Sequence, residues 1–352
     1  MRAEAVGVGA GVTTATPAIR LSVLDRSRTR QGQDPPQALR DTVAFAQQAE
    51  RLGYHRFWVS EHHGVPGVAG SAPTVLAAAV AAATTRIRVG TGGVMLPNHQ
   101  PMVVAEQFGV LASLFPDRID MGLGRSVAFT DGVRRALGRD KDAADHFADQ
   151  LAELLGYFDP APRARTGVRA RPAEGLHVPA FVLATGAGAD IAADAGLPLV
   201  VGGFRNEDRM LAALDRYRTR FRPSAQAAEP YVVVSGSVAV AGTAEEARSL
   251  LVSEAWSSAY ARTHGEFPPL APVPEILARE MSPRERTAYE AALDGHIAGT
   301  PQEAVADLRA LMEHTGADEF LVTTSTYDRV ALLDSYRLLA AAVRPEPDLT
   351  GQ

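Results

Sequence analysis

The sequence predicts an α/β protein, a (β/α)8 TIM barrel. Three observations predict it. Short β-branched runs start near residues 19, 56, 86, 119, 180, 198, 231 and 319. Nearly all of them are separated by segments with helical apolar spacing, the alternation that builds parallel sheets. Eight such alternations fit one closed barrel better than an open, doubly wound sheet. The phosphate loop of that runner-up fold, G-x-G-x-x-G, is never completed: Val12, Val127 and Ile191 stand where the third glycine belongs.

Residues 1–18 are small and weakly apolar, without the solid apolar stretch of a signal peptide, and read as a disordered tail. The barrel domain is 19–343, with a C-terminal tail at 344–352. Ile19–Asp25 is the first strand, and a polar, proline-bearing loop follows to Pro36. Leu39, Val43, Ala46, Ala49 and Leu52 make a helical stripe that stops at Gly53. Tyr54–Ser60 is the second strand, with Glu61-His62-His63 at its C-terminal end. A Gly/Pro loop covers 64–70, and an alanine-rich helix, Pro73–Thr84, leads into the third strand, Arg86–Gly90. Gly92-Gly93 break that strand and Val94–Leu96 resume it. Pro101 suits the first turn of the next helix, which carries Val104, Phe108 and Leu111 and ends at Pro116-Asp117. Ile119–Leu123 is the fourth strand and closes on Gly124-Arg125-Ser126.

A helix is expected from about Ala143 to Phe158. Residues 159–179 are rich in proline, arginine and glycine and read as either a lid or a disordered excursion. The arginines at 163, 165, 169 and 171 belong to its solvated surface. Ala180–Ala184 is the next strand, and Thr185-Gly186-Ala187-Gly188 opens a helix. Leu197–Val201 and Tyr231–Val240 are further strands, separated by a helix over 206–221. Thr243 and Glu246 have the spacing of a capping box. Residues 263–295 read as an insertion before the last strand, Glu319–Thr324, and the last helix, 328–343.

Composition narrows the function classes. The 352 residues are 46% hydrophobic and 22% charged, as in ordinary globular proteins. Net charge is −6, which argues against a nucleic-acid surface or a polybasic membrane anchor. The absence of cysteine excludes disulfides, thiolate metal sites and cysteine nucleophiles. No apolar run reaches the roughly 18 residues of a membrane span. A cytoplasmic protein is expected.

The C-terminal ends of barrel strands are where chemistry sits. His62 and His63 are adjacent there, so their side chains diverge and do not share a metal; no metal site is expected. One of them faces the mouth as a general acid/base or hydrogen-bond donor, or else both are plain loop residues. Gly92-Gly93 is either a bulge or a place where backbone approaches a flat ligand. Arg125 is an anion clamp or a surface arginine. Thr185 to Gly188 offer N–H groups to a phosphate at a helix start.

At WVSEHH, GTGGVMLPNHQP, AEQF and FPDRIDMGLGR the chain strongly resembles the bacterial-luciferase-like family of flavin-dependent monooxygenases. The resemblance continues through AELLGYF and GLPLV to GTPQE and TGADEFLVTT, from about Ile19 to Ala342. It implies a barrel that binds reduced FMN (FMNH2) at its mouth and uses O2 through a flavin C4a-peroxide to oxidise a small organic substrate. It also implies a separate NAD(P)H:flavin reductase and a homodimer formed through helices 73–84 and 101–115. By motif, Gly92-Gly93 matches a non-proline cis peptide behind the flavin ring, with Val94 beside it. His62 matches a histidine needed for catalysis, and Arg125 matches the arginine on the flavin phosphate. Gly124 stands where luciferase has a reactive cysteine. Close relatives carry serines and a tyrosine where this chain has Ala184-Thr185-Gly186-Ala187-Gly188, and a histidine near Gly203. Two alternatives follow: a barrel of the same fold using the deazaflavin F420 for hydride transfer, and a non-catalytic barrel with lost flavin binding.

Overall fold

The computed structural model describes residues 19–128, 130–160, 167–184, 186–202 and 207–344. The expected tail 1–18, nearly all of 344–352, and the site candidates Thr185 and Gly203 lie outside these residues.

The strands in chain order are β1 (Leu21–Asp25), β2 (Arg56–Val59), β3 (Arg88–Thr91), β4 (Val94–Met95), β5 (Ile119–Gly124), β6 (Ala180–Leu183), β7 (Leu199–Gly202), β8 (Val232–Gly236), β9 (Val238–Val240), β10 (Ile297–Gly299) and β11 (Glu319–Val322). Their order in the sheet is β3-β2-β1-β11-β8-β7-β6-β5-β4, and β3 also pairs with β5. That last pairing, Val89 with Ile119 and Gly90 with Asp120, closes an all-parallel eight-stranded barrel. All eight runs expected as strands are in it. After Gly92-Gly93 the chain resumes as β4, which pairs Val94 with Leu123 further along β5.

Period two sorts the side chains. In β2, Phe57 and Val59 belong to the large core between sheet and helices, whereas Trp58 belongs to the cluster inside the barrel. Phe181, Val200, Val233 and Leu321 complete that inner cluster. Arg56 also points inward, at the N-terminal end. Its Nη1 is 2.8 Å from Asp120 Oδ2 and its Nε 3.1 Å from Glu319 Oε1. Both carboxylates are fully buried. Trp58 Nε1 and Arg88 also donate to Asp120, and Ser22 and Tyr231 donate to Glu319. A buried charge is tolerable only when paired and hydrogen-bonded in this way.

Two expectations change, and the segment 263–295 gains detail. Tyr231–Val240 is two strands, because β9 leaves the barrel and pairs with β10 as a small parallel ribbon. Residues 167–179 are neither a lid nor an excursion. Ala170, Ala173 and Val178 are buried in the main core, and Ala173 sits against Gly109, where a Cβ would come within 2.6 Å of the Ala173 nitrogen. The stretch 263–295 holds helices Val273–Leu277 and Pro283–Leu293. They pack on helix Ala244–His264 in a second core that includes Trp256, Ile276 and Tyr289. No helix among the described residues is long and apolar enough to cross a membrane.

Arg56→Met should leave Asp120 and Glu319 buried without their shared cation. The expected loss is about 3–5 kcal/mol of unfolding free energy, read from the midpoint of urea denaturation. A change below about 1 kcal/mol would mean that Arg88, Ser22 and Tyr231 suffice to hold the two carboxylates.

Candidate active site

The anticipated site residues follow the C-terminal ends of consecutive strands. His62 comes just after β2, Gly92-Gly93 after β3, Arg125 after β5, and Gly186 to Gly188 after β6. The two histidines diverge as expected. His63 Nε2 is 2.6 Å from Glu61 Oε1, whereas His62 Nδ1 is 3.1 Å from Ser60 Oγ. Glu61 is the buried anchor of this corner. It also accepts from His99 Nε2 at 2.8 Å and from the Met95 N–H at 2.8 Å. Burial opposes its charge, but these partners outweigh burial and hold its carboxyl near a pKa of about 2. Glu61 therefore ties the end of β2 to the backbone just past Gly93.

The Gly92-Gly93 peptide is cis. A Cβ on Gly92 would lie 2.7 Å from Leu24 Cδ1, and one on Gly93 would lie 2.9 Å from the Gly122 carbonyl oxygen. Barrel-wall backbone thus presses against position 93, whereas at 92 the Leu24 side chain would have to move, a constraint the motif did not reveal. Val94 is 2% exposed, with its side chain in the main core, so only its backbone is available to a ligand. Arg125 is of the opposite kind. Its side chain is 37% exposed, and Asp145, itself exposed, stands 3.7 Å away. Such a solvated pair does not hold an arginine in place. Gly188 lies beside it, a Cβ there falling 3.8 Å from Arg125 Cδ. Arg209, which the sequence reading passed over, lies near Gly186, its Nη2 being 3.3 Å from that glycine's Cβ position. Glycine backbone at the ends of β3 and β6 allows close approach of a flat ligand, and Arg125 with the N–H groups beside Gly188 offers donors to an anion.

The sequence reading missed the other half of the mouth. Residues 26–30 read as polar loop, yet Arg28 is 3% and Arg30 4% exposed. Arg30 donates to the carbonyls of Thr326 and Tyr327. Arg26 and Arg28 both reach Glu254 Oε1, at 3.0 and 3.1 Å. The sequence signal was R-x-R-x-R directly after a strand, but Ser27 at φ 50° breaks extended alternation there, so period two could not aim these side chains. His62 stands close to this cluster. Burial, then the positive charges of Arg26 and Arg28, depress its pKa to about 4, against the pull of Glu61 and Glu254. The imidazole is neutral at pH 7 and can accept or donate a proton at one nitrogen.

This shift sets an acid dependence. His62 titrates near 6.5 when unfolded and near 4 when folded, so the unfolded chain binds its proton first. Stability is full above pH 6.5 and falls as pH drops toward 4, by at most about 3 kcal/mol. Glu61 adds a separate loss from pH 4.5 down toward 2. His62→Gln should flatten the first decline and leave the second, as read from urea unfolding at a series of pH values. An unchanged slope between pH 6.5 and 4.5 would assign the loss to other groups.

The fold and geometry can be set against known proteins. The model of the luciferase-like monooxygenase family matches residues 19–319. YvbT of Bacillus subtilis is 38% identical over 91% of this chain and 95% of its own length. A luciferase-like monooxygenase of Escherichia coli is 35% identical over 91% of this chain and 96% of its own. Among solved structures, apo-MsnO8 has a TM-score of 0.82 and 32% identity, covering 94% of this chain and 99% of its own. Two more distant structures share the fold: an oxygenating constituent of 3,6-diketocamphane monooxygenase from Pseudomonas putida in complex with FMN, with TM-score 0.69 and 18% identity, and an F420-dependent secondary alcohol dehydrogenase, with TM-score 0.66 and 15% identity. With a family model spanning most of the chain and relatives matched nearly end to end, this protein belongs to the luciferase-like monooxygenase family of oxidoreductases.

Proposed function

We propose that the protein is a monooxygenase that takes reduced FMN and O2 and inserts one oxygen atom into a small organic substrate. The observation that carries this reading is the placement of half-exposed Arg125 against Gly188, at the same strand ends as Gly92-Gly93 and His62. When bound, reduced flavin would supply the two electrons that activate oxygen. Arg125 binds the phosphate, with backbone N–H groups of Gly186, Ala187 and Gly188 as further donors. Gly92, Gly93 and the Val94 backbone support the ring. Neutral His62 hydrogen-bonds or moves a proton beside the reacting centre. A separate NAD(P)H-dependent reductase delivers the flavin, since a phosphate site that relies on solvated Arg125 suits a ligand that comes and goes.

We also propose a homodimer through helices Pro73–Ala83 and Pro101–Leu114. They expose Val75, Val103, Val110 and Leu114, from 47% to 70%. Sedimentation equilibrium should give twice the 37.3 kDa chain mass. A single-chain mass at micromolar concentration would end the dimer reading.

Anaerobic titration with reduced FMN tests the function. Saturation in the low-micromolar range is expected, and Arg125→Ala should weaken FMN at least about tenfold while leaving riboflavin, which lacks the phosphate, within threefold. Saturable binding of F420 with none of FMN would move the assignment to hydride transfer. With an identified substrate, His62→Ala should lower turnover about 100-fold and flavin affinity by less than about threefold. Equal losses would make His62 a binding residue.

A further inference from the structure

Residues 60 to 63 just after β2 pair two apart. Glu61 Oε1 meets His63 Nε2, and Ser60 Oγ lies 3.1 Å from His62 Nδ1. In the second pair the hydroxyl decides which ring nitrogen carries the proton. Backbone bonds hold both residues. The Ser60 N–H donates to the Asp25 carbonyl at 3.3 Å, and the His62 N–H donates to the Gly70 carbonyl at 2.8 Å.

Ser60 is 4% exposed. Its hydroxyl has one proton and, among the described residues, one partner, His62 Nδ1. Two arrangements are open to this pair. If Nδ1 carries the ring proton, it donates to Oγ and the hydroxyl proton is left without an acceptor. If Nδ1 is bare, the hydroxyl donates to it and nothing is left over. A buried donor without an acceptor is costly, so the second arrangement wins. The neutral ring then carries its proton on Nε2.

That nitrogen makes no hydrogen bond among the described residues, yet it is not one of the fully buried unpartnered atoms. His62 is only part-buried, so Nε2 keeps surface that a ligand can reach.

We infer that Ser60 is a positioning residue that holds His62 as the Nε2–H tautomer, so that His62 offers the site a hydrogen-bond donor and not a base. A ring whose lone pair sits on Nδ1 and is engaged by Ser60 has none at Nε2 with which to take a proton. It polarises an acceptor by donation, as a neutral imidazole does toward an oxygen that gains negative charge. The inference rests on the proposed function only in placing a reacting oxygen at Nε2.

The test is nitrogen-15 NMR of the full-length chain at pH 7 without flavin, with the His62 signals among the nine histidines assigned by their loss in His62→Gln. Nδ1 should show the shift of a bare ring nitrogen and Nε2 that of a protonated one. In Ser60→Ala the two shifts should move toward each other, as the other tautomer gains at least about fivefold relative to the first. A protonated Nδ1 in the wild type, or ring shifts unchanged in Ser60→Ala, would overturn the inference. Should Ser60→Ala fail to fold, the wild-type spectrum decides alone. With flavin and an identified substrate, Ser60→Ala should also lower turnover at least about fivefold and flavin affinity by less than about threefold. Unchanged turnover beside a shifted tautomer would sever Ser60 from the reaction. Flavin is absent from the NMR experiment, so failure to bind FMN and failure of the tautomer read out separately.

Discussion

Arg56 spans the inside of the barrel, and much else depends on it. Asp120 and Glu319 sit on strands that are not neighbours of β2, so their two ion pairs cross the lumen instead of running along the sheet. The guanidinium also lies 4.8 Å from the Phe181 ring centroid, joining the charged floor to the apolar layer above it. Burial alone would lower its pKa, and the two carboxylates reverse that and raise it. A charged floor that is fully paired has no spare hydrogen-bonding capacity. At the other end Arg125 stands half in solvent beside glycine backbone, open to a ligand.

At that other end Glu61 repeats the device on a smaller scale. One buried carboxylate takes donors from His63, His99 and the Met95 N–H. These partners come from the end of β2 and from the segment beyond the diglycine, so the peptide that would face a flavin is fixed from behind. His62, next in sequence, is left out of this network and turns instead toward Arg26, Arg28 and Glu254. Neighbouring residues therefore do opposite work. Glu61 fixes backbone, and His62 stays neutral beside the mouth.

The eight barrel strands were legible because each is a short apolar run ended by glycine, proline or a polar turn. The diglycine, His62 and Arg125 were legible because barrel geometry places strand ends at the site. What escaped the sequence were partnerships over long separations. Arg28 and Glu254 lie 226 residues apart, and in either local context each looks like a solvated charge. Glu254 lies on a helix whose charged and apolar residues show no clean stripe, because that helix touches the barrel ribbon on one side and helix Pro283–Leu293 on another. The stretch 159–179 misled for a related reason. Its proline and arginine content resembles a mobile loop, but over 167–179 packing is decided by Ala170, buried in the main core, and by Ala173 against Gly109.

The mouth thus has two halves of different physical character. Beyond β5 and β6 an arginine stands half in water beside glycine backbone, where electrostatic attraction is screened and exchange is fast. Beyond β1, β8 and β11 buried Arg28 and partly buried Arg26 share the Glu254 carboxylate, where polar groups are costly unless met. In the proposed reaction the flavin is shared with a reductase, and a solvated arginine suits weak, reversible capture of its phosphate. The second half is already paired within itself, and His62 lies between the two, its Nδ1 taken by Ser60 and its Nε2 left to a ligand.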